Sequence, residues 1–514
     1  MTATVSAVQL KAMLRDGQEL ALLDLREQGP FGEGHLLLAS CAPLSRLELV
    51  LPVLVPRRSA RVVLCDAGEG LADTAAQRMA RWGYSQVSVL RGGIGAWEVA
   101  GYRLFSGVNV PSKAFGEFVE ARCHTPNISA QELQGLMAQG KPLVVLDSRP
   151  WGEYQAMSVP GAVDVPGAEL VYRVAELAPD PQTLVVVNCA GRTRSIIGAQ
   201  SLINAGIPNQ VVALRNGTMG WHLAGLQLDH DAGRRPPPVS PQGLRQAQAA
   251  AQRVAERFAV PSADWAQVTR WQKDAARSLF LLDVRSEEEF LAGHLPGARW
   301  APGGQLVQAT DTYVGTRGAR LVLVDDTQVR ATLTASWLLQ MGWPEVCILR
   351  GGLSAAGVPL ETGAAAPAVL GGLPACAEVS PAELARSLAG KESSVVVDLA
   401  TSAQYQAGHI PGAWFAIRAR LSASLPQLPR GTGVVLTSPD GLLARLAAPE
   451  AAAILGAPVR VLAGGTAAWR QGGQPLATGP EHLADPPDDL WLRPYDREQG
   501  VEAAMQRYLD WELG

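Results

Sequence analysis

Residues 184–206 read LVVVNCAGRTRSIIGAQSLINAG, and their order decides the fold. The run LVVVN is short and apolar, which suits a strand buried on both faces. Cys189, Ala190, Gly191, Arg192, Thr193 and Arg194 follow as a loop. A helical stretch then begins at about Ser195 and ends before Gly206. Strand, tight loop and helix in this order are the unit of an α/β fold built on a parallel sheet.

The phrase recurs along the chain. Its partners are RVVLCDAG (61–68), RLVLVDDT (320–327) and GVVLTSPD (433–440). Upstream of each lies an apolar run ending in an acid: LALLDLRE at Asp24, PLVVLDSRP at Asp147, LFLLDVRS at Asp283 and SVVVDLAT at Asp398. Downstream of each lies a third run: VSVLRGGIGAW, VVALRNGTMGW, VCILRGGLSAA and VRVLAGGTAAW. The period of roughly 120 residues is that of a domain, not of a solenoid repeat. A chain of 514 residues needs several cores, so four units are expected. They are assigned to residues 1–108, 125–232, 242–362 and 375–478, with a tail over 479–514. Three successive prolines in AGRRPPPVSP (232–241) mark a linker, and TGAAAPAVLGGLP (362–374) is another. The tail stretch VEAAMQRYLDWEL has apolar residues at helical spacing and is expected to dock on a neighbouring domain.

The loop at Cys189 is suited to anionic sulfur chemistry. A strand–loop–helix crossing sets the cysteine at a helix N-terminus, where free N–H groups and the dipole favour an anion. Thr193 or Ser195 is positioned to cap that helix, and Gly191 lets the backbone curl around the sulfur. The thiolate is the reactive form, and a free cysteine with a pKa of about 8.5 is only slightly ionised at neutrality. The loop amides, Arg192 and Arg194 are expected to lower that value and to hold a sulfonate by charge-assisted hydrogen bonds. Arg149, in the DSR phrase, is either an ion-pair partner near the sheet or a further substrate ligand.

The chain resembles the rhodanese superfamily. The resemblance rests on GHLPGA (293–298), GHIPGA (408–413), the shorter Gly34–His35 and VPGA (159–162), the three DxR phrases, and the RGG turn before a tryptophan. Trp97, Trp221 and Trp469 each lie 32 residues beyond Cys65, Cys189 and Thr437. The resemblance implies four tandem rhodanese-like domains, each a parallel sheet flanked by helices. It further implies transfer of sulfane sulfur through a cysteine persulfide, here on Cys189, with Ala190, Gly191, Arg192, Thr193, Arg194 and Arg149 at the donor. The donor expected is thiosulfate or a related small molecule, with a thiol or protein acceptor. In the first unit Cys65 takes the cysteine position as a possible second thiol, with Asp66 and Glu69 in place of the arginines. The third and fourth units carry no cysteine there, and Asp325–Asp326 is expected as a solvated turn.

Two other classes compete. A phosphatase or arsenate reductase of related fold needs a wider loop, whereas four residues separate Cys189 from Arg194. A non-catalytic scaffold or sulfur-carrier hub would account for three degenerate units but not for Cys189. No cofactor or metal is implied: the six cysteines show no CxxC pair. A net charge of −4, 47% hydrophobic and 18% charged residues give no expectation of nucleic acid or a membrane as partner. Without a signal-like N-terminus or a long apolar run, a cytoplasmic enzyme is expected.

Overall fold

The computed structural model describes residues 2–390, 394–429, 433–497 and 499–513. Each unit is built on a short, mostly parallel sheet. In the second unit the strands run in the order Asn127–Ile128, Val211–Leu214, Leu184–Asn188, Leu143–Asp147, Val163–Asp164. The same order recurs in the third and fourth units. The first unit repeats it and gains an antiparallel strand from the third, as Thr316 and Arg317 pair with Ala21 and Leu20. Central strands such as Leu20–Asp24 are buried at every residue, which is why they read as unbroken apolar runs.

The acids that end one central strand of each unit, Asp24, Asp147, Asp283 and Asp398, are buried. Where Arg follows two residues later, its guanidinium folds back onto the carboxylate: Arg26 on Asp24, Arg149 on Asp147 and Arg285 on Asp283. Each Arg also donates to a carbonyl eight residues on, at Gly34, Met157 or Gly293. The pair thus staples the strand end to the following helix. The fourth unit lacks the Arg, and burial pushes the Asp398 carboxyl up to about 6.

Three segments tie the units together. The helix Pro241–Arg257 follows the proline-rich stretch and packs on Leu170–Leu177 of the second unit and Val329–Gln340 of the third. The helix Val110–Cys123, lying between the first two units, packs along Thr193–Ala205. The C-terminal segment leaves the fourth unit and crosses the first. There Asp489 accepts from the Gln28 and Ser402 amides, and Trp491 covers Gly32 so closely that a Cβ on Gly32 would strike its ring at 2.2 Å. The segment ends in the helix Val501–Leu513, which lies against Val110–Cys123. Docking of the tail was expected from its helical spacing; its destination is the second unit. Among the described residues, no helix is long and apolar enough to cross a membrane.

Candidate active site

The strand Leu184–Asn188 delivers Cys189, and the turn at Gly217 fixes the loop that follows. Thr218 N–H and Oγ1 both donate to the Cys189 carbonyl, and Met219 N–H donates to that of Ala190. Gly217 adopts φ +55°, and a Cβ there would stand 2.3 Å from the Cys189 carbonyl oxygen. Only glycine fits. Asn188 points the other way, donating to Asp147 and Thr218. The helix begins at Thr193, two residues before the expected start, with Arg192 as N-cap and no side-chain cap. Ser195 instead donates to the Arg192 carbonyl and sits 3.6 Å from the Cys189 sulfur. Gly191 does not use the left-handed region. It is small because Glu512 Oε2 lies 2.7 Å from where its Cβ would be, with Met219 and Tyr508 close by.

The two loop arginines are already paired. Arg194 binds Glu153 through two hydrogen bonds of 3.1 and 2.8 Å. Arg192 binds Glu117 at 2.8 and 2.7 Å, and Glu120 as well. Arg149 is wholly buried on Asp147 and lines no part of the cavity at the sulfur. Cys189 is 2% exposed. Burial pushes its thiol up, opposed by Arg194 and Ser195 and reinforced by Glu512. The lowered thiol expected from the loop composition is therefore not the resting state. The arginine charge that would produce it is spent on carboxylates brought from other segments.

A cavity of about 100 Å³ opens over Cys189, with Lys113, Glu153, Arg194, Tyr495, Tyr508 and Glu512 in its walls. A second cavity of about 240 Å³ adjoins it, and the two share Trp491, Pro494 and Tyr508. Lys113 places its ammonium over the rings of Tyr508 and Trp511, 4.7 and 4.4 Å from their centroids. Burial draws it down to about 8. Tyr495 donates to Glu153 at 3.1 Å. Sequence reading missed Lys113, Tyr495, Tyr508 and Glu512, which come from the inter-unit helix and the tail. The one signal was the helical spacing of apolar residues in the tail, which gives no destination; the segment holding Lys113 gave none.

Cys65 does not occupy the position of Cys189, which corrects its expected place at the head of the first unit's loop. In the sheets, Asp24 pairs with Cys65 as Asp147 pairs with Asn188, Asp283 with Val324 and Asp398 with Thr437. The residues matching Cys189 are thus Asp66, Asp325 and Ser438. Their carbonyls accept from Ile94, Leu353 and Thr466, as Cys189 accepts from Thr218. Cys65 is wholly buried under the sheet, its sulfur against the Leu23 carbonyl, and burial holds its thiol far up. Asp325, expected in a solvated turn, is likewise buried.

The substitutes fill the loop. The Asp66 carboxylate accepts from Gly68 and Ala72 N–H; that of Asp325 accepts from Gln328 and Arg330 N–H. Ser438 Oγ accepts from Ala444 N–H. The third unit even keeps an Arg330–Glu289 pair where the second has Arg194–Glu153. Three loops therefore hold an oxygen of their own chain on the amides at the helix start. The second holds a sulfur.

Comparison with known proteins agrees with this architecture. The rhodanese-like domain family matches residues 6–100, 129–224, 262–356 and 380–472. A solved thiosulfate sulfurtransferase from Pseudomonas aeruginosa is 51% identical, with a TM-score of 0.95 over all of this chain and 97% of that one. A solved protein from Anabaena sp. is 27% identical over 21% of this chain and 87% of its own, with a TM-score of 0.20. A transcriptional regulator of the HTH type from Mycobacterium tuberculosis is 37% identical over 90 residues, which are 18% of this chain and 39% of that protein. With four matched segments and a relative alike from end to end, the chain belongs to the rhodanese superfamily as a tandem, four-domain rhodanese-like sulfurtransferase.

Proposed function

We propose that the protein moves sulfane sulfur from thiosulfate, or a donor like it, to a thiophilic acceptor through a persulfide on Cys189. The Cys189 thiolate attacks the outer sulfur of the donor. A new S–S bond forms at Cys189, the donor's S–S bond breaks, and sulfite leaves with the electron pair. The acceptor then removes the outer sulfur and restores the thiolate.

One observation carries this reading. The loop position that seats a carboxylate on backbone amides in two other domains, at Asp66 and Asp325, is taken in the second by Cys189, whose sulfur takes a hydrogen bond from the Ser195 amide. A position that elsewhere holds a carboxylate suits a thiolate and then a persulfide anion. Donor binding repositions charge. A dianion beside Arg194 and Lys113 draws on cations now shared with Glu153 and Glu512. Domains one, three and four act as the frame that holds Val110–Cys123 and the tail over the sulfur. Six free thiols, with no disulfide among the described residues, fit a reducing compartment such as the cytoplasm.

The test is thiosulfate:cyanide sulfurtransferase activity of the full chain beside Cys189→Ala, with intact mass to detect one added sulfur. Activity and adduct present in the parent and absent in Cys189→Ala support the reading. A parent that neither turns over nor gains sulfur, from thiosulfate or from glutathione persulfide, rules it out.

A further inference from the structure

We propose that Glu512 is the proton-transfer residue of the Cys189 site, carrying the proton of a thiol acceptor to the terminal sulfur of the persulfide. This rests on the Cys189 persulfide reading and extends it to the second half of the reaction.

The chemistry creates the need. The net step is Cys189–S–S⁻ plus RSH giving Cys189–S⁻ plus RSSH. The acceptor sulfur forms a bond to the terminal sulfur, and the bond from that sulfur to Cys189 Sγ breaks, its pair staying on Sγ. The acceptor must lose a proton to attack. The terminal sulfur must gain one, because in this step it leaves as the neutral RSSH. One group that both takes and returns a proton satisfies both demands.

The cavity offers few such groups. Glu153 is held by Arg194 and Arg493, which draw its carboxyl down to about 2 against its burial, so it does not take up a proton near neutrality. Arg194 and Arg493 do not release protons. Burial pushes the Tyr495 hydroxyl up to about 12 and raises that of Tyr508 well above its ordinary value. Lys113 is drawn down to about 8 by burial and is the rival in this range, but its ammonium is seated on the faces of Tyr508 and Trp511, so it enters the test as the competing assignment.

Glu512 differs from all of these. It is 9% exposed, and its Oε2 has no hydrogen-bond partner although it is buried. That oxygen lies against Gly191, two residues beyond the sulfur, while Oε1 accepts from Thr193 Oγ1 at 3.4 Å. A buried acceptor without a donor, aimed into the reaction cavity, is a seat for a donor brought by the ligand. The groups facing it are Lys113 and Glu117 from Val110–Cys123, Arg192 and Cys189 from the loop, and Tyr508 from its own helix. Burial and Glu117 raise its carboxyl, while Lys113, the neighbouring Tyr508 hydroxyl and Arg192 draw it back. The balance leaves it above its ordinary value, closer to neutrality than Glu153.

The test separates the two halves of the reaction. The full chain is loaded with thiosulfate, freed of excess, and mixed with cyanide or with reduced glutathione. Loss of the added sulfur is followed by quenched intact mass. Cyanide leaves as thiocyanate, which carries no proton, so none has to end on the transferred sulfur. Glu512→Gln is expected to slow discharge to glutathione about 100-fold more than discharge to cyanide, and to flatten the pH dependence of the thiol reaction. Glu512→Asp, a shorter carboxylate, is expected to fall between parent and Glu512→Gln. Equal slowing with both acceptors, or a selective loss in Lys113→Met and not in Glu512→Gln, overturns the assignment while leaving the persulfide reading intact. A parent that never loads sulfur overturns both.

Discussion

Glu153 holds Arg194 by two hydrogen bonds, at 3.1 and 2.8 Å, within a buried pocket beside the reactive sulfur. The pair links acid stability to the site. Arg194 and Arg493 draw the Glu153 carboxyl from 4.5 to about 2. A carboxyl lowered in the folded state adds stability above its unfolded value, and that stability is lost as pH falls through the folded one. The window is therefore pH 4.5 to 2, and the contribution is about 3 kcal/mol. Denaturant unfolding at a series of pH values is expected to show this loss in the parent. Glu153→Gln is expected to be less stable at neutral pH, since Arg194 stays buried without its partner, and to lack that part of the acid dependence. An unchanged slope in the variant would contradict the assignment.

The resting thiol of Cys189 is raised by burial and by Glu512, and lowered by Arg194 and Ser195. Alkylation of Cys189 by iodoacetamide is therefore expected to rise with pH around a midpoint above about 8.5. Removing a charge on either side has opposite effects. Glu512→Gln is expected to move the midpoint down, and Arg194→Gln to move it up. Peptide mapping of the alkylated chain as a function of pH measures both. Shifts in the same direction would show that burial alone sets the value.

The sequence made parts of this legible and hid others, for physical reasons. Runs such as LVVVN and LALLD are apolar up to their last residue because helices cover both sheet faces, so strand and fold class could be read directly. The loop at Cys189 was legible because its chemistry is contiguous. The status of Cys65 was not. One residue of register separates the last inward strand position from the loop, and RVVLC and LVVVNC look alike until the ladder of hydrogen bonds is seen. Lys113 and Glu512 lie 76 and 323 residues from Cys189 (189 − 113 and 512 − 189). Helical spacing announces that the tail packs against something and says nothing of where, and the Lys113 segment carries no such spacing.

Cys65 is expected to be inert. It stands where Asn188 stands, under the sheet, and the loop position belongs to Asp66. Cys65→Ala should leave sulfur loading and transfer unchanged and cost about 1 kcal/mol of stability, the usual effect of a small cavity in a core. Intact mass after thiosulfate treatment, beside a denaturation curve, measures both. Sulfur found on Cys65 in the native chain would overturn the register argument.

Gly217 is expected to be as important to transfer as residues that touch the donor. A Cβ at this position would lie 2.3 Å from the Cys189 carbonyl and 2.8 Å from that of Gly191, and its φ of +55° disfavours any side chain. The loop would have to move by about an ångström, and displacements of that size cost about 100-fold in rate. Gly217→Ala is therefore expected to lose thiosulfate:cyanide activity by about 100-fold while keeping its far-ultraviolet circular dichroism. Gly135 is the matched control. It lies inside the helix Ala130–Ala138, and a Cβ there meets nothing within 4 Å. Gly135→Ala should keep full activity and gain up to about 1 kcal/mol of stability. Equal activity in the two variants would show that the backbone turn at Gly217 does not position the sulfur.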